Sequence, residues 1–189
     1  SEMCIRDSII IATKAAHDPE NNYAFNNSPQ FLKQSVEDAL KRLQTEYIDI
    51  FYIHFPDEAT PKNEAIAAQH ELKEEGKIRA IGVSNFSLEQ LKEANQEGYV
   101  DVVEEQFNLI HREHEKDLFP YLKENRISFV PYFPLASGLL TGKYKKEDRF
   151  DASDRRSQRP DFTGERFEKI VGKVDQLKPI AKNYDATVA

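Results

Sequence analysis

The 189-residue sequence contains no tryptophan, a single cysteine and a single methionine, and these absences exclude several kinds of protein. Cys4 cannot form an internal disulfide and has no cysteine partner for a zinc site. No apolar run reaches the roughly 18 residues of a transmembrane helix, and the N-terminus lacks the basic-then-apolar layout of a secretory signal. We therefore expect a cytoplasmic protein with no membrane partner and no metal, stabilised by the burial of apolar side chains.

Positively charged residues are also fewer than negatively charged ones. The 26 lysines and arginines are outnumbered by 33 aspartates and glutamates, which gives a net charge of -7. Nucleic acids and anionic membranes attract basic surfaces, so neither is expected as a partner. The balance of 39% hydrophobic and 31% charged residues is typical of a globular protein. Composition thus favours small-molecule chemistry and leaves the oligomeric state open.

Residues 1–8 differ from the rest of the chain, because they hold both Met3 and Cys4 and neither residue type recurs afterwards. We expect this anomalous segment to lie outside the fold and residues 9–189 to form one domain. A complete eight-fold β/α barrel usually needs about 250 residues. The domain is therefore expected to be incomplete, truncated at both ends.

Short runs rich in Ile, Val, Phe and Tyr alternate with longer amphipathic runs, as in repeated βα units around a parallel sheet. The predicted strands are 9–14, 47–54, 78–85, 100–108 and 127–132. This alternation predicts an α/β fold with a parallel sheet.

The intervening helices carry signals for their ends. Ser28 is the expected N-cap of a helix with Pro29 at its first position, and its predicted apolar stripe is Leu32, Val36, Leu40 and Leu43. A second helix is expected from Thr60-Pro61 to Gly76, and a third from the capping box of Ser87 and Gln90 to Gly98. Further helices are predicted near 113–125, where Pro120 marks a kink or the true start, and around 165–184. The polar stretch 143–164 is predicted to be a long loop.

Parallel β/α folds place their functional face at the carboxyl ends of the strands. The residues at or near these ends are Lys14, His54, Ser84, Asn85, Gln106 and Tyr132. Period-two alternation lets Lys14 and His54 both point inward, where a lysine can tune a neighbour's pKa and a neutral imidazole can donate a hydrogen bond to a carbonyl oxygen. A surface lysine and a structural histidine are the alternatives left open.

The other histidines give weaker signals. His111 and His114 are better explained as solvated polar residues than as metal ligands, and His17 and His70 are assigned no function. Ser137-Gly138 together with Gly142 could let backbone amides approach a phosphate, although a glycine-containing loop is a weak signal alone.

Three longer segments carry a family resemblance. The segment from Tyr47 to Asp57 resembles the histidine-bearing strand of the aldo-keto reductases. The segment from Gly76 to Phe86 is similar to the second signature of that family, and Tyr132–Lys143 to its cofactor loop. The last segment most resembles bacterial members related to potassium-channel β subunits.

The resemblance implies part of a (β/α)8 barrel, about five of eight βα units, that binds NADPH and reduces an aldehyde or ketone to an alcohol by hydride transfer. It implies that Lys14 and His54 belong to the catalytic tetrad. The residues implied to bind the cofactor are Ser84, Asn85 and Gln106 at the carboxamide, Tyr132 stacked on the nicotinamide, Phe133 and Pro134 in the same motif, and Leu135, Ser137, Gly138 and Gly142 along the pyrophosphate. The tyrosine acid and aspartate of the family tetrad precede the lysine strand, so we expect them to lie outside this chain.

Three functions remain open at this stage. The first is a catalytically incomplete fragment of a NADP-dependent carbonyl reductase, and the second is a non-catalytic nicotinamide-binding or regulatory subunit resembling the channel β subunits. The third is an unrelated (β/α)8 lyase or isomerase with a lysine and a histidine at its strand ends, which would need no nicotinamide. The preference for NADPH over NADH and the physiological substrate are not readable from the residues.

Overall fold

The computed structural model describes residues 8–189, so the expected anomalous segment lies outside the described residues except for Ser8. Within the described part, seven strands, β1 to β7, span Ala12–Ala15, His17–Asp18, Ala24–Phe25, Ile48–Ile53, Ile78–Ser84, Val102–Gln106 and Ser128–Tyr132. Six α-helices, α1 to α6, span Pro29–Leu43, Lys62–Glu74, Leu88–Ala94, Leu118–Asn125, Gly164–Asp175 and Lys178–Asn183. No helix in residues 8–189 is both long enough and apolar enough to cross a membrane.

Five of the strands form one sheet in the order β1-β4-β5-β6-β7, and the pairings β1-β4, β4-β5 and β5-β6 are parallel. Strands β2 and β3 form a separate antiparallel ribbon. Each of the five predicted strands overlaps one strand of the large sheet, so the α/β fold with part of a β/α barrel is confirmed. The first strand begins later than predicted, since Ile9 and Ile10 precede β1 and are exposed.

The helix signals are confirmed at two N-termini and wrong at a third. Ser28 Oγ accepts a hydrogen bond from the amide of Phe31, and Ser87 forms a complete capping box with Gln90. The second helix instead begins after Pro61, because the hydroxyl of Thr60 donates to Asp57 rather than capping the helix.

The predicted helix ends agree less well. Leu43 is 43% exposed and lies outside the apolar stripe of α1, where Leu32 and Val36 are fully buried. The third helix ends at Ala94 rather than running to Gly98. The helix predicted around 165–184 is two helices, α5 and α6, with Pro179 in the first turn of the second.

The chain divides into two compact units. The first contains the described residues up to Glu105 and His114–Val130, and the second contains Gln106–Glu113 and Pro131–Ala189. The core of the first unit lies between the sheet and α1 to α4, and its largest fully buried side chains include Phe51, Ile66 and Ile81.

The second unit has a separate core, built partly from the stretch predicted to be a polar loop. The rings of Tyr144, Phe150, Phe162 and Phe167 pack edge-on or stacked at centroid distances of 5.3 to 6.4 Å. Short 3-10 turns at Arg155–Gln158 and Pro160–Phe162 order this stretch. Residues 143–164 are therefore a packed segment whose aromatic spacing has no helical or strand period.

Candidate active site

In the first unit, an ion pair lies at the carboxyl end of the parallel sheet. Lys14 Nζ is 2.6 Å from Glu104 Oε1, and the two side chains are 30% and 14% exposed. The ammonium also lies 5.4 Å from the ring centroid of Tyr52, the residue paired with Lys14 in the β1-β4 register. Lys14 thus occupies the position expected from strand alternation, next to two groups that stabilise a cation.

His54 follows the last residue of β4 and lies beside this ion pair. Burial lowers the pKa of His54 below its ordinary value, the positive charges of Lys14 and His17 lower it further, and the carboxylate of Glu104 partly opposes them. An imidazole with a depressed pKa is neutral at neutral pH and keeps one N–H donor. His54 is therefore suited to donate a hydrogen bond without carrying a charge.

Tyr52 is an unsuitable proton donor even though Lys14 lies close to its ring. Burial, with a contribution from Glu104, raises the pKa of its phenol to about 12. The side chain is 2% exposed and packs over Gly82. Tyr52 therefore has a packing role next to Gly82, below the ends of the strands.

A ring cluster borders His54 on the side of the small ribbon. His17 of β2 lies 5.6 Å from His54 between ring centroids, and Phe55 lies 4.5 Å from His54. Phe25 of β3 stacks on Phe55 at 4.9 Å with an interplanar angle of 10°. The aromatic rings form an apolar surface beside the imidazole of His54. The packing of His17 in this cluster was not predicted, because the sequence around it is polar.

The loop after β4 is fixed by a buried polar network. Asp57 accepts hydrogen bonds from the amide of Asn27 (2.6 Å) and from the amide and hydroxyl of Thr60 (both 2.8 Å). Asn27 Oδ1 accepts a hydrogen bond from the amide of Asp57, and Asn27 Nδ2 donates to the carbonyl of Phe55. Lys62 Nζ donates to the Asp57 carbonyl at 2.6 Å. Because buried polar groups must be paired, this network holds the loop that follows His54.

Ser84 and Asn85 end the neighbouring strand β5. Ser84 is buried, and Asn85 has a left-handed backbone with a φ of 60°. The side-chain amide of Asn85 donates to the carbonyl of His54 (2.8 Å) and to Ser84 Oγ (3.1 Å). Asn85 thus ties the end of β5 to the end of β4, which places Ser84 and Asn85, two of the three predicted carboxamide-binding residues, at the same edge as His54.

In the second unit, the remaining predicted residues surround or border a cavity of about 180 Å³. Gln106, Phe133 and Ser137 line it, while the ring of Tyr132 packs edge-on against Phe133 at 5.3 Å. Leu135 precedes the 3-10 segment Ala136–Thr141 and is exposed, as is Pro134. In the predicted cofactor loop, Pro134 and Leu135 are therefore exposed, and the chain then enters the 3-10 segment, where Ala136 is buried.

The backbone of this loop has several residues in the left-handed region, where side chains other than glycine are strained. Phe133, Ala136 and Ser137 have φ values of 54°, 48° and 55°, and Gly138 and Gly142 have 95° and 75°. A Cβ on Gly138 would lie 3.2 Å from both Cε and Nζ of Lys143, so glycine leaves the space between the loop and this ammonium. Successive amides in such conformations can form a concave anion-binding surface.

Arg159 brings a guanidinium into the lining of the cavity. Its Nη1 donates to Ser137 Oγ at 2.6 Å, and its guanidinium carbon lies 5.3 Å from the ring centroid of Phe133. The Arg159 guanidinium and the Ser137 hydroxyl are donors of the kind that bind a phosphate, and the carboxylate of Asp161 also lines the cavity. Sequence reasoning missed Arg159, because it lies in the stretch predicted to be an irregular loop.

His111 also lines this cavity and is not freely solvated, contrary to the expectation from sequence. Its Nε2 lies 2.7 Å from Asp161 Oδ2, and Arg166 donates to the other oxygen of that carboxylate at 2.5 Å. The bonds from Arg166 and His111 lower the pKa of Asp161 despite its partial burial. His114 belongs to a short 3-10 turn in the first unit. Among residues 8–189, no group of three or more His, Cys, Asp or Glu side chains is placed to hold a metal ion.

The chain is similar to known proteins over most of its length. The chain is 42% identical over 178 residues to the aldo-keto reductase YhdN of Bacillus subtilis, covering 94% of this chain and 54% of that protein. It is 33% identical over 166 residues to the NADH-specific methylglyoxal reductase of Escherichia coli, covering 86% of this chain and 50% of the relative. The chain thus spans about half the length of the curated relatives it matches.

A solved structure shows the same fold. The glycerol dehydrogenase AKR11B4 from Gluconobacter oxydans superposes with a TM-score of 0.87 at 34% sequence identity, over 95% of this chain and 57% of that one. The sequence model described as the aldo/keto reductase family matches residues 2–189. This excludes the unrelated lyase or isomerase, and the chain belongs to the aldo/keto reductase family of oxidoreductases.

Proposed function

We propose that this chain carries the nicotinamide-binding part and two catalytic residues of a NADPH-dependent reductase that converts aldehydes or ketones to alcohols. The observation that carries the proposal is the neutral imidazole of His54 beside the cation of Lys14, at the carboxyl end of a parallel sheet. Family membership supports a nicotinamide cofactor in general. The choice of NADPH is part of the proposal, because one relative is described as NADH-specific.

When bound, the nicotinamide would supply the hydride that reduces the carbonyl carbon. The residues proposed to hold its carboxamide are Ser84, Asn85 and Gln106, with Tyr132 against the ring. Ser137, Gly138 and Gly142 are proposed to receive the phosphates, and Phe133, Pro134 and Leu135 to border them. Arg159 is also proposed to bind the phosphates, because its guanidinium already donates a hydrogen bond to the Ser137 hydroxyl.

The chain's own residues would act on the carbonyl oxygen, where negative charge accumulates as the carbon is reduced. The N–H of His54 would donate to that oxygen, and the ammonium of Lys14 would stabilise the developing charge from nearby. A proton must then reach the oxygen. The buried phenol of Tyr52 is a poor source, since its pKa is raised to about 12.

The proposal is tested by titrating the chain with NADPH and with NADH, following cofactor fluorescence, and by measuring NADPH oxidation with methylglyoxal as the carbonyl probe. We expect NADPH to bind more tightly than NADH, and Arg159→Met to weaken binding by about tenfold through the loss of a charged hydrogen bond. Arg149→Met is the matched control, because Arg149 is 70% exposed and pairs with Glu168. Failure of both cofactors to bind would refute the proposal.

Turnover is the second part of the test. His54→Asn is expected to reduce any NADPH-dependent turnover at least a hundredfold, in the range of lost electrostatic and acid-base contributions, while His114→Asn leaves it unchanged. Cofactor binding without turnover by the wild-type chain is the result expected of a catalytically incomplete fragment, whose tyrosine acid is expected to lie outside this chain.

A further inference from the structure

Glu104 is a charged residue in the first unit that the proposed reaction does not use. It belongs to β6, paired in register with Ser84 of β5, and its side chain is 14% exposed. A carboxylate held largely out of water is costly unless it is paired. The ammonium of Lys14, 2.6 Å away and 90 residues earlier in the chain, provides that pairing.

The neighbouring glutamate shows that this placement is specific to Glu104. Glu105 is also buried, but its Oε1 accepts a hydrogen bond from the backbone amide of Phe86 at 2.8 Å. Adjacent residues of a strand point to opposite sides of the sheet. Glu105 therefore fixes the turn after β5, whereas Glu104 extends toward Lys14 on the side that carries Tyr52.

We propose that Glu104 is a positioning residue whose carboxylate holds the Lys14 ammonium between the Tyr52 ring and His54 at the strand ends. Without this partner, the lysine side chain would be free to extend into solvent from its position on β1. The catalytic consequence of the inference rests on the proposed function, while the ion pair itself does not.

The charge of Glu104 should be measurable at His54. The charged groups that act on this imidazole are Lys14 on β1, His17 on β2 and Glu104 on β6, and Glu104 is the one among them that raises its pKa. The ammonium of Lys14 lowers this pKa by more than Glu104 raises it, so a Glu104 variant that releases Lys14 into solvent should have a raised pKa at His54.

The test compares the wild-type chain, Glu104→Gln and Glu71→Gln by NMR titration of the histidine rings, with the His54 signals assigned from His54→Asn. Glu71 is the matched control because it also pairs with a lysine, Lys33, on the exposed surface. We expect Glu104→Gln to raise the His54 midpoint and Glu71→Gln to leave it unchanged. An unchanged or lowered midpoint in Glu104→Gln would show that Lys14 stays beside His54 without Glu104 and would overturn the proposed placement.

Kinetics distinguish positioning from simple structural support. With methylglyoxal and NADPH, Glu104→Gln should lower kcat about tenfold with an unchanged KM for NADPH, and Glu104→Asp should recover part of the loss. A rise in KM for NADPH at constant kcat would refute a positioning role. If the wild-type chain binds no nicotinamide cofactor, the proposed function fails, yet the ring titration still decides whether Glu104 holds Lys14.

Discussion

Gly82 is expected to be essential because the ring of Tyr52 occupies the space where a side chain would be. A Cβ built on Gly82 would lie 2.4 Å from Cδ1 and 2.7 Å from Cε1 of Tyr52. Ordinary contacts between carbon atoms are about 3.5 to 4.0 Å, so the overlap is about 1 Å. The two residues are direct partners in the β4-β5 register, and Tyr52 is 2% exposed, so neither the strand nor the ring can move freely.

Gly82→Ala should therefore reduce the free energy of unfolding by about 1–3 kcal/mol, the usual cost of overpacking a core. The assay is urea denaturation followed by far-UV circular dichroism, together with amide hydrogen exchange at Val83 to report on the first unit. Gly172→Ala is the matched control, because its Cβ would meet only the flexible end of Lys146 at 3.3 Å. That change in α5 should be neutral or stabilising by up to about 1 kcal/mol.

A double-mutant cycle tests whether the clash with Tyr52 is the cause. Tyr52→Val alone is destabilising because it leaves a cavity. Combined with Gly82→Ala, it should cost about 1–3 kcal/mol less than the sum of the single changes, since the added methyl then has space. Additive effects in this cycle, or a Gly82→Ala variant as stable as the wild type, would refute the reasoning.

Three further predictions concern other parts of the first unit. Asp57→Ala should cost about 3–5 kcal/mol in urea denaturation, because it leaves the buried ammonium of Lys62 and two backbone amides without their carboxylate; a loss below 1 kcal/mol would contradict the network. Ser87→Ala should cost about 1 kcal/mol by removing the cap of α3, and Ser87→Asp should retain most of the stability. The stability should also decrease as the pH falls below about 6.5 toward the lowered folded-state pKa of His54, because the unfolded chain then binds the proton more readily. Comparing urea midpoints of the wild type and His54→Asn across this range checks the sign, and an identical pH dependence would exclude a contribution from His54.

Local patterns predicted the fold well where the determining contacts are short in range. The capping signals at Ser28 and Ser87 were confirmed because a cap depends on atoms two or three residues away. The five strands followed from β-branched runs, and the parallel arrangement places their ends at one edge. This is why Lys14 and His54 could be expected to lie close together.

The missed features depend on contacts that sequence spacing does not encode. Glu104 lies in a Glu-Glu pair typical of a solvated surface, and its partner Lys14 is 90 residues away. His17 belongs to a ribbon of two-residue strands, too short to show alternation. Arg159 was missed because it lies in a segment whose aromatic residues pack together but have no regular spacing in the sequence. The predicted start of the second helix was wrong for a different reason, because a local hydrogen bond from Thr60 to Asp57, three residues earlier, competes with the cap.

The account's central claim is that this chain binds a nicotinamide dinucleotide with the residues named above. The most direct measurement is a backbone amide NMR map of the chain during titration with NADPH. We predict the largest saturable shifts at Ser84, Asn85, Ser137 and Gly138, with loss of the Ser137 and Gly138 shifts in Arg159→Met. Saturable shifts confined to other residues, or no shifts at millimolar NADPH, would contradict the account.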